Sequence, residues 1–210
     1  MTEKFGIYIA DKKIHWSTNK IIYTVMFLVI GLYYLLQEIV GLNKSTEKGF
    51  QYIFVLTFFI ALISKFINFP KVEKSNGRID GYITFLDNEI VIKERTYLLN
   101  EIKKIKISND DYLGRLANYT SGNFGPALSD GTNNHMIFFF ESGESKRYRY
   151  QLLSSDDFQK VRDQLINYHQ KGKIDFWELA DVLGEKSAME IAELTKQINS
   201  VKASNATNTG

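Results

Sequence analysis

Side chains that commonly perform acid–base or metal chemistry are sparse in this chain of 210 residues. Its three histidines are His15, His135 and His169, and none has a second histidine or a carboxylate at metal-ligand spacing. The chain has no cysteine, which excludes disulfides and thiolate metal sites. The sequence therefore predicts no metal site and no cofactor.

Two pairs of adjacent carboxylates have alternatives to catalysis. Asp110 and Asp111 could form a metal-ligand pair, an acid–base pair or a turn before a strand, and the turn is favoured because Asp bonds its own backbone there. Asp156 and Asp157 are explained by capping of a following helix. No serine stands in a nucleophile-elbow context. We therefore expect no catalytic residue in these segments.

The glycine-rich stretch "GNFGPALSDG" lies in the middle of the chain. A phosphate cradle needs a strand before it, a helix after it and a Lys-Ser/Thr pair, and this stretch has none of them. The pattern instead predicts a flexible loop.

Basic side chains form three groups, and the net charge of +2 is too small to indicate a nucleic-acid partner. The group at residues 103–106 lies near one predicted strand, and the group at residues 146–149 lies near another. In both, alternating charge is typical of a solvated strand face. The third group follows an apolar segment, and each of its cations could gain about 1 kcal/mol from anionic lipid. The groups are Lys103, Lys104 and Lys106; Lys146, Arg147 and Arg149; and Lys71, Lys74 and Arg78.

Two apolar segments determine the architecture. Residues 21–40 and 50–69 each contain twenty residues, enough for a helix of roughly 30 Å, the thickness of a bilayer core. Helices of a soluble core would carry a polar face, and neither segment has one. A cleaved signal peptide is disfavoured because the first run is too long, no small-residue site follows it and a second run comes next. The segments predict a transmembrane hairpin.

The distribution of Lys and Arg predicts how the hairpin is oriented. Lysines are more frequent before the first apolar segment and after the second than in the linker "GLNKSTEKG" between them. We therefore expect a multi-pass protein of the cytoplasmic membrane with both termini in the cytosol, including an N-terminal cytosolic segment, residues 1–20.

The residues from Arg78 onward predict antiparallel strands. "GYITFLDNEIVIKE" is typical of a hairpin with Asp87-Asn88 at positive φ in its turn. A third strand region carries Ile105 and Ile107 on one face, and a strand over 136–141 is followed by a turn and a return strand. Between them, residues 113–119 are expected to form a strand that leads into a long loop.

Helices are expected after the strands. The first is capped by Ser154 or Ser155 and ends at Gly172, with Phe158, Val161, Leu165 and Tyr168 in its apolar stripe. A helical extension over 173–202 is broken at Gly184, and its second helix is expected to pack through Ala188, Ile191, Thr195 and Ile198. Residues 203–210 are expected to be disordered. Phe176 and Trp177 are expected to dock on the strand domain or on a partner, with the first favoured because large aromatic residues are usually buried.

The patterns "DGYITFLDNEIVIKERTYLLNEIKKIKI" and "GTNNHMIFFFESGESKRYRYQLLSSDDFQKVRDQL" resemble the bacterial pleckstrin-homology-like (PH-like) domains that follow a pair of transmembrane helices. The resemblance implies a domain over 78–172 with seven strands in two near-orthogonal antiparallel sheets, a barrel or sandwich capped by its C-terminal helix. The expected fold class is an α+β membrane protein with short extra helices.

These features favour a membrane-anchored PH-like interaction or scaffold module, not an enzyme. Its expected partners are the lipid bilayer and either another protein or a second copy, with no nucleic acid and no small-molecule substrate. The membrane-surface contacts would be Lys71, Lys74 and Arg78. The alternative is a small membrane enzyme or transport-accessory subunit that uses Glu38 and Lys65, or the loop over 110–134, because charges at membrane depth often mark function.

Overall fold

The computed structural model describes residues 3–12, 16–117 and 119–207, with the backbone alone at 202–207. The chain divides into two compact units, and both are discontinuous in sequence. The sheet unit contains Met1–Asp11, Gly77–Leu113 and Asp130–Gly210. The hairpin unit contains Lys12–Asn76 and Gly114–Ser129.

Two helices, α1 (Thr18–Val40) and α2 (Lys44–Asn68), form most of the hairpin unit. Within the described ranges, these two are long and apolar enough to cross a membrane. Asn43 caps α2 by accepting a hydrogen bond from the backbone N–H of Thr46 at 2.9 Å. Because this cap comes directly after the turn, α2 begins at Lys44, before the apolar run predicted to begin at residue 50.

The two helices pack through a narrow stripe. On α1 the half-buried side chains recur at helical spacing: Ile22, Met26, Val29, Tyr33 and Leu36. On α2 the facing positions include Thr57, Ala61 and Ser64, and Ala61 is only 1% exposed. Small residues permit close approach of the two backbones.

The remaining apolar surface of the hairpin is exposed. All 23 residues of α1 are described, and none is buried. Phe27 is 75% exposed and Phe66 is 78% exposed. A monomer in water rarely exposes so large a contiguous apolar surface.

Seven strands form one antiparallel sheet among the described residues, in the order β4-β3-β2-β1-β9-β8-β5. A separate two-stranded sheet pairs β6 with β7. The strands are β1 (Lys4–Ala10), β2 (Gly77–Phe85), β3 (Glu89–Ile92), β4 (Arg95–Leu98), β5 (Ile102–Ser108), β6 (Leu113–Leu116), β7 (Leu128–Asp130), β8 (Asn134–Phe140) and β9 (Ser145–Gln151).

Strand β1 corrects the predicted domain boundaries. The N-terminal segment 1–20 was expected to stand apart from the domain over 78–172, yet β1 pairs with β2 on one side and with β9 on the other. Phe5 and Ile7 on β1 are buried in the core. The run "KFGIYIA" is short, and its partners lie more than 60 residues away in sequence, so no local signal identifies its role.

The resemblance implied two separate sheets, and this too needs correction. Because β1 pairs with both β2 and β9, the described strands form a continuous open sheet that is not a closed barrel. Its inner face carries the core, including Ile83, Phe85, Ile105 and Phe138, each fully buried. The predicted inward alternation of Ile105 and Ile107 is confirmed.

The predicted hairpin at Asp87-Asn88 is confirmed by the antiparallel pairing of β2 with β3. Its turn chemistry was wrong: among described non-glycine residues, only Lys93 has a positive φ, at 59°. Lys93 lies in the turn between β3 and β4. The region expected to form a third strand instead contains two strands, β4 and β5. A 3-10 helix over Leu99–Glu101 separates them.

Helical segments follow β9. A 3-10 helix (Asp157–Val161) leads into α3 (Arg162–Gln170), α4 (Phe176–Val182) and α5 (Ala188–Thr207). The predicted stripe of α3 and its preceding turn is confirmed, because all four side chains are buried in the core: Phe158, Val161, Leu165 and Tyr168.

Two details of the helices differ from expectation. Asp157 does not cap its own helix but accepts hydrogen bonds from the preceding N–H groups of Leu153 at 2.7 Å and Ser154 at 2.9 Å. Among the described side chains of α5, Leu194 and Ile198 are buried, whereas Ala188 and Thr195 are exposed. Helix α5 also continues to Thr207, where disorder was expected from 203, and residues 208–210 lie outside the described range.

A buried amide joins the two ends of the segment that leaves the sheet unit after Leu113 and returns at Asp130. Asn134 is fully buried, and its side-chain oxygen accepts from the N–H of Asp111 at 2.9 Å. Its Nδ2 donates to the carbonyls of Asp111 at 2.7 Å and Gly131 at 2.9 Å. One side chain thus forms hydrogen bonds to three backbone groups, of which Gly131 O also accepts from Leu152 N–H at 2.9 Å.

We expect Asn134→Ala to lower the free energy of unfolding of the sheet unit by about 3 kcal/mol, because three buried hydrogen bonds are lost. Urea unfolding of the full chain in detergent, followed by near-UV circular dichroism, measures this change. Exposed Asn133 is the matched control, and Asn133→Ala should have little effect. Equal stability of Asn134→Ala and the parent chain would contradict the prediction.

Candidate functional site

A polar loop, residues 119–126, lies against the adjacent ends of α1 and α2 within the hairpin unit. It is contributed by the excursion between β6 and β7. The excursion is held at its far side by the segment after α2, because Val72 and Leu128 form a parallel bridge and Glu73 N–H donates to Leu128 O at 2.7 Å. The loop is therefore attached to the helix ends by backbone as well as by side chains.

The C-terminal end of α2 binds the polar loop through two side chains. Lys65 Nζ donates to the backbone carbonyls of Thr120 at 3.3 Å and Ser121 at 3.2 Å. Asn68 Nδ2 donates to the carbonyl of Phe124 at 3.1 Å. The ammonium of Lys65 thus has two carbonyl partners in its own chain.

The N-terminal end of α1 binds the same loop. Asn19 makes a two-sided contact: its Oδ1 accepts from Phe124 N–H at 2.7 Å, and its Nδ2 donates to Asn123 Oδ1 at 2.7 Å. The hydroxyl of Tyr23 donates to Gly122 O at 2.8 Å, and its ring meets the Phe124 ring edge-on at 5.7 Å. The polar loop therefore bridges both helices.

A polar cleft of about 240 Å³ lies between the loop and the start of α1. Its lining consists of Ser17, Thr18, Asn19, Glu73, Ala117, Thr120, Gly122, Asn123, Gly125 and Pro126. Among the described lining residues, Glu73 supplies a carboxylate, and Ser17, Thr18 and Thr120 supply hydroxyl groups. These groups can accept and donate hydrogen bonds.

The two described histidines, His135 and His169, lie on different elements. His15 lies outside the described residues. On β8, burial and the nearby Arg147 and Arg149 lower the pKa of His135. His169 Nδ1 lies 2.9 Å from Ile174 O. Across the described ranges, no group of three His, Cys, Asp or Glu side chains is placed to hold a metal ion.

The other sequence-predicted features have separate positions. Asp111 Oδ2 accepts from Asn133 N–H at 3.0 Å, so this bond is to backbone 22 residues away, whereas the expected turn required a bond to its own backbone. Most of "GNFGPALSDG" forms part of the polar loop and β7. Glu38 and Lys65 lie near opposite ends of the hairpin, so the structure does not combine them in one site.

The predicted membrane-contact cations belong to both units. Lys71 and Lys74 lie in the hairpin unit after α2, and Lys71 Nζ donates to Asn68 Oδ1 at 2.9 Å. Arg78 belongs to β2 of the sheet unit. Lys74 is exposed.

Phe176 and Trp177, at the start of α4, differ in their burial. Phe176 packs partly against the core and meets the ring of His169 at 6.0 Å. Trp177 is 70% exposed. Only Phe176 docks on its own domain in the manner that the sequence favoured.

One edge of the large sheet is covered by the chain itself. Along β5, the N–H of Ile105 donates to Lys173 O at 2.8 Å, and the N–H of Ile107 donates to Glu178 Oε1 at 2.9 Å. Lys104 pairs with Asp175. A partner strand therefore cannot add to β5 without displacing the segment that leads into α4.

A groove near the other edge is lined by tyrosines and by charges of both signs. Lys93 pairs with Asp80, and the Arg95 guanidinium lies over the Tyr97 ring at 4.9 Å. The groove also includes Lys4, Gly81, Tyr82, Thr84, Val91, Ile92, Glu94 and Tyr148. Because Asp80 neutralises Lys93, the groove is poorly suited to a strongly anionic phosphate group.

Comparison with family models, with curated proteins and with solved structures finds no match to this chain.

Sequence reasoning missed the side-chain amides that hold the polar loop, Asn19, Asn68 and Asn123. Each is an ordinary polar residue near a helix end or in a loop, where hydrogen bonding to nearby backbone is the default expectation. Their partners are about 55 to 105 residues away, as in the Asn68–Phe124 and Asn19–Phe124 contacts. The one available signal was the density of Asn and Gly in the loop.

We expect Asn19→Ala to loosen the polar loop, because Phe124 N–H loses its acceptor and Asn123 loses a donor. Hydrogen exchange at the Phe124 amide should quicken by about tenfold, the equivalent of one hydrogen bond. Exchange measured by mass spectrometry on the full chain in detergent tests this. Asn199→Ala, at an exposed position of α5, should leave the loop unchanged. Unaltered exchange in Asn19→Ala would contradict the assigned contact.

A second prediction concerns the covered edge of β5. Burial raises the pKa of Glu178 above its ordinary value of 4.5, although the Ile107 N–H bond and Lys104 oppose the shift. A raised pKa in the folded state means that folding favours the protonated acid. The stability contribution is therefore fully present below pH 4.5 and is lost as the pH rises through the folded pKa.

Glu178→Gln retains an oxygen that accepts from Ile107 and removes the buried charge. We expect this variant to unfold at a higher urea concentration than the parent chain at pH 7, with the difference shrinking as the pH falls toward 4.5. Urea titrations over this pH range measure the difference. A constant difference at all pH values would show that Glu178 does not titrate as assigned.

Proposed function

We propose that this chain is a membrane-anchored, non-catalytic interaction module, with α1 and α2 as a transmembrane hairpin and the sheet unit as a PH-like head. The observation that carries the proposal is the exposure of the hairpin's apolar side chains, with none of the α1 residues buried and only Ala61 buried on α2. Transfer of this surface from water to hydrocarbon is favourable, at about 25 cal/mol per Å². Lipid, not protein, is its natural surrounding.

Polar and aromatic residues at the ends of the helices support the same placement. Tyr33, Tyr34 and Tyr52 lie toward the turn of the hairpin, and Trp16 and Phe69 flank the opposite ends. Trp and Tyr are enriched where a helix meets the membrane–water interface. The apolar stretch between these two groups has the length of a bilayer core.

The topology of the head supports the PH-like class. Without the β6–β7 excursion, seven antiparallel strands remain, and a helix follows the last of them and closes the core. The hairpin is inserted between β1 and β2, which are adjacent in the sheet. An anchor inserted between neighbouring strands enters and leaves the head at one place, as a tether requires.

An enzyme or transport-accessory role has less support. It would require polar groups at membrane depth to meet in one site, whereas Lys65 bonds loop carbonyls and Glu38 lies toward the far end of α1. These contacts assign Lys65 a structural use. The anchored module therefore accounts for more of the described contacts.

The anchor and its orientation are tested together. We expect the full chain to stay in the membrane pellet after alkaline carbonate extraction. The absence of native cysteine permits single-cysteine labelling with a membrane-impermeant maleimide. Ser45→Cys, at the hairpin turn, should be labelled in intact cells, and Asn199→Cys, on α5, should be labelled only after lysis.

The unsubstituted chain controls for labelling at other groups. A soluble, detergent-free chain would contradict the anchor. Labelling of Asn199→Cys but not Ser45→Cys in intact cells would reverse the proposed orientation while leaving the anchor in place.

A further inference from the structure

The outer face of strands β5, β8 and β9 assembles cations that are distant in sequence. Strand pairing places Lys106 opposite Ile137 and Ile137 opposite Arg147. In the adjacent rows, Lys104 lies opposite Phe139, and His135 lies opposite Arg149. We call these seven residues the basic face. The cations of β5 and those of β9 therefore form two lines along their strands. Between these two lines lies a central strip on β8 that consists of His135, Ile137 and Phe139.

The exposure of these side chains agrees with a binding surface. Lys106 and Arg147 are exposed, and Ile137 and Phe139 are half-buried. The alternate residues of β8, Met136 and Phe138, are fully buried in the core. The central strip thus offers apolar atoms at the surface without being needed to complete the core.

Positive charge on the basic face is only partly compensated. Lys104 pairs with Asp175 at the edge of β5, and Arg149 lies over the Tyr8 ring at 4.9 Å. Neither Lys106 nor Arg147 forms an ion pair with any side chain that the structure describes. The lowered pKa of His135, to which burial contributes most and then Arg147 and Arg149, agrees with a positive potential at this face.

We propose that the basic face binds the surface of an anionic lipid bilayer, in a head that the proposed hairpin keeps close to that bilayer. Charge complementarity favours an anionic partner. The tyrosine-lined groove and the groove at Asn88, Leu98 and Lys171 include none of the seven residues of this face. Two rows of cations about 10 Å apart suit the extended charge of a lipid surface.

Because the proposed anchor already holds the chain in the membrane, weak binding of the basic face to lipid is sufficient for docking. Tethering converts docking of the face into an intramolecular event at high effective concentration. Removal of two exposed cations should shift the ratio of docked to undocked head by about thirtyfold at low salt. High salt should weaken docking because the interaction lies at the surface.

The experiment uses the full chain in lipid nanodiscs with a nitroxide on Ser145→Cys. Ser145 is exposed and pairs with Phe139 on the basic face. We expect the label to be protected from a water-soluble nickel chelate in phosphatidylcholine–phosphatidylglycerol discs but not in phosphatidylcholine discs. The paired substitutions Lys106→Gln and Arg147→Gln should abolish this protection. Lys186→Gln with Lys196→Gln, two exposed cations elsewhere, should preserve it.

Equal accessibility of the label in both lipids overturns the proposal, as does equal loss of protection in the control pair. If a poly-glutamate peptide protects the label and anionic lipid does not, the face binds an acidic protein, and the bilayer proposal is wrong. A chain that does not enter nanodiscs at all overturns the anchor, and with it the tethered face. Normal incorporation without lipid-dependent protection overturns the face alone.

Discussion

Strand β1 is the element on which the sheet unit depends. It pairs with β2 along one edge and β9 along the other, and so joins β4-β3-β2 to β9-β8-β5. Its side chains Phe5 and Ile7 enter the core, where the Phe5 ring stacks on Phe158 at 4.6 Å. Without β1, each half of the sheet would expose an edge whose N–H and C=O groups have no partner. The residues before the hairpin therefore complete the domain that follows it.

The position of β1 also explains how the two units are connected. Because α1 and α2 lie in sequence between β1 and β2, the sheet unit cannot complete its core until the chain on both sides of the hairpin is present. The second connection is the excursion after Leu113, whose ends are joined by Asn134. Gly131 is required there, since it has φ of +75° and an added Cβ would lie 2.1 Å from Leu152 O. The polar loop can thus be held at the helix ends while its base stays rigid.

Charge in this protein is used mainly for structure. Lys65 bonds the polar loop, Asp157 holds the turn before α3, and the Arg162–Glu185 pair at 2.5 Å joins α3 to the segment before α5. Exposed pairs contribute little to stability, but this last pair is largely shielded from solvent. The exposed cations of the basic face do not have such a structural use. Strand pairing brings them together on β5 and β9, and strands β5, β8 and β9 carry no carboxylate side chain. This arrangement distinguishes a proposed binding surface from an ordinary solvated face.

Local patterns were sufficient for the elements whose signals lie within one helix or hairpin. Helical length and apolar composition predict α1 and α2, alternation predicts β2, β3, β8 and β9, and spacing predicts the buried stripe from Phe158 to Tyr168. The positive φ expected at Asp87-Asn88 and the apolar stripe of α5 were wrong, because several residues satisfy the same local pattern and packing selects among them.

Local patterns in the sequence indicate two bilayer-length apolar helices, an antiparallel strand region and a helical C-terminal part. Tertiary contacts, in contrast, place β1 in the sheet, bring Asn19, Lys65 and Asn68 to the polar loop, and put Lys106 and Arg147 on one face. The physical reason is the distance in sequence over which each kind of interaction acts. Periodicity and capping act over a few residues, whereas strand partners and buried amides are selected by the free energy of the whole assembled core.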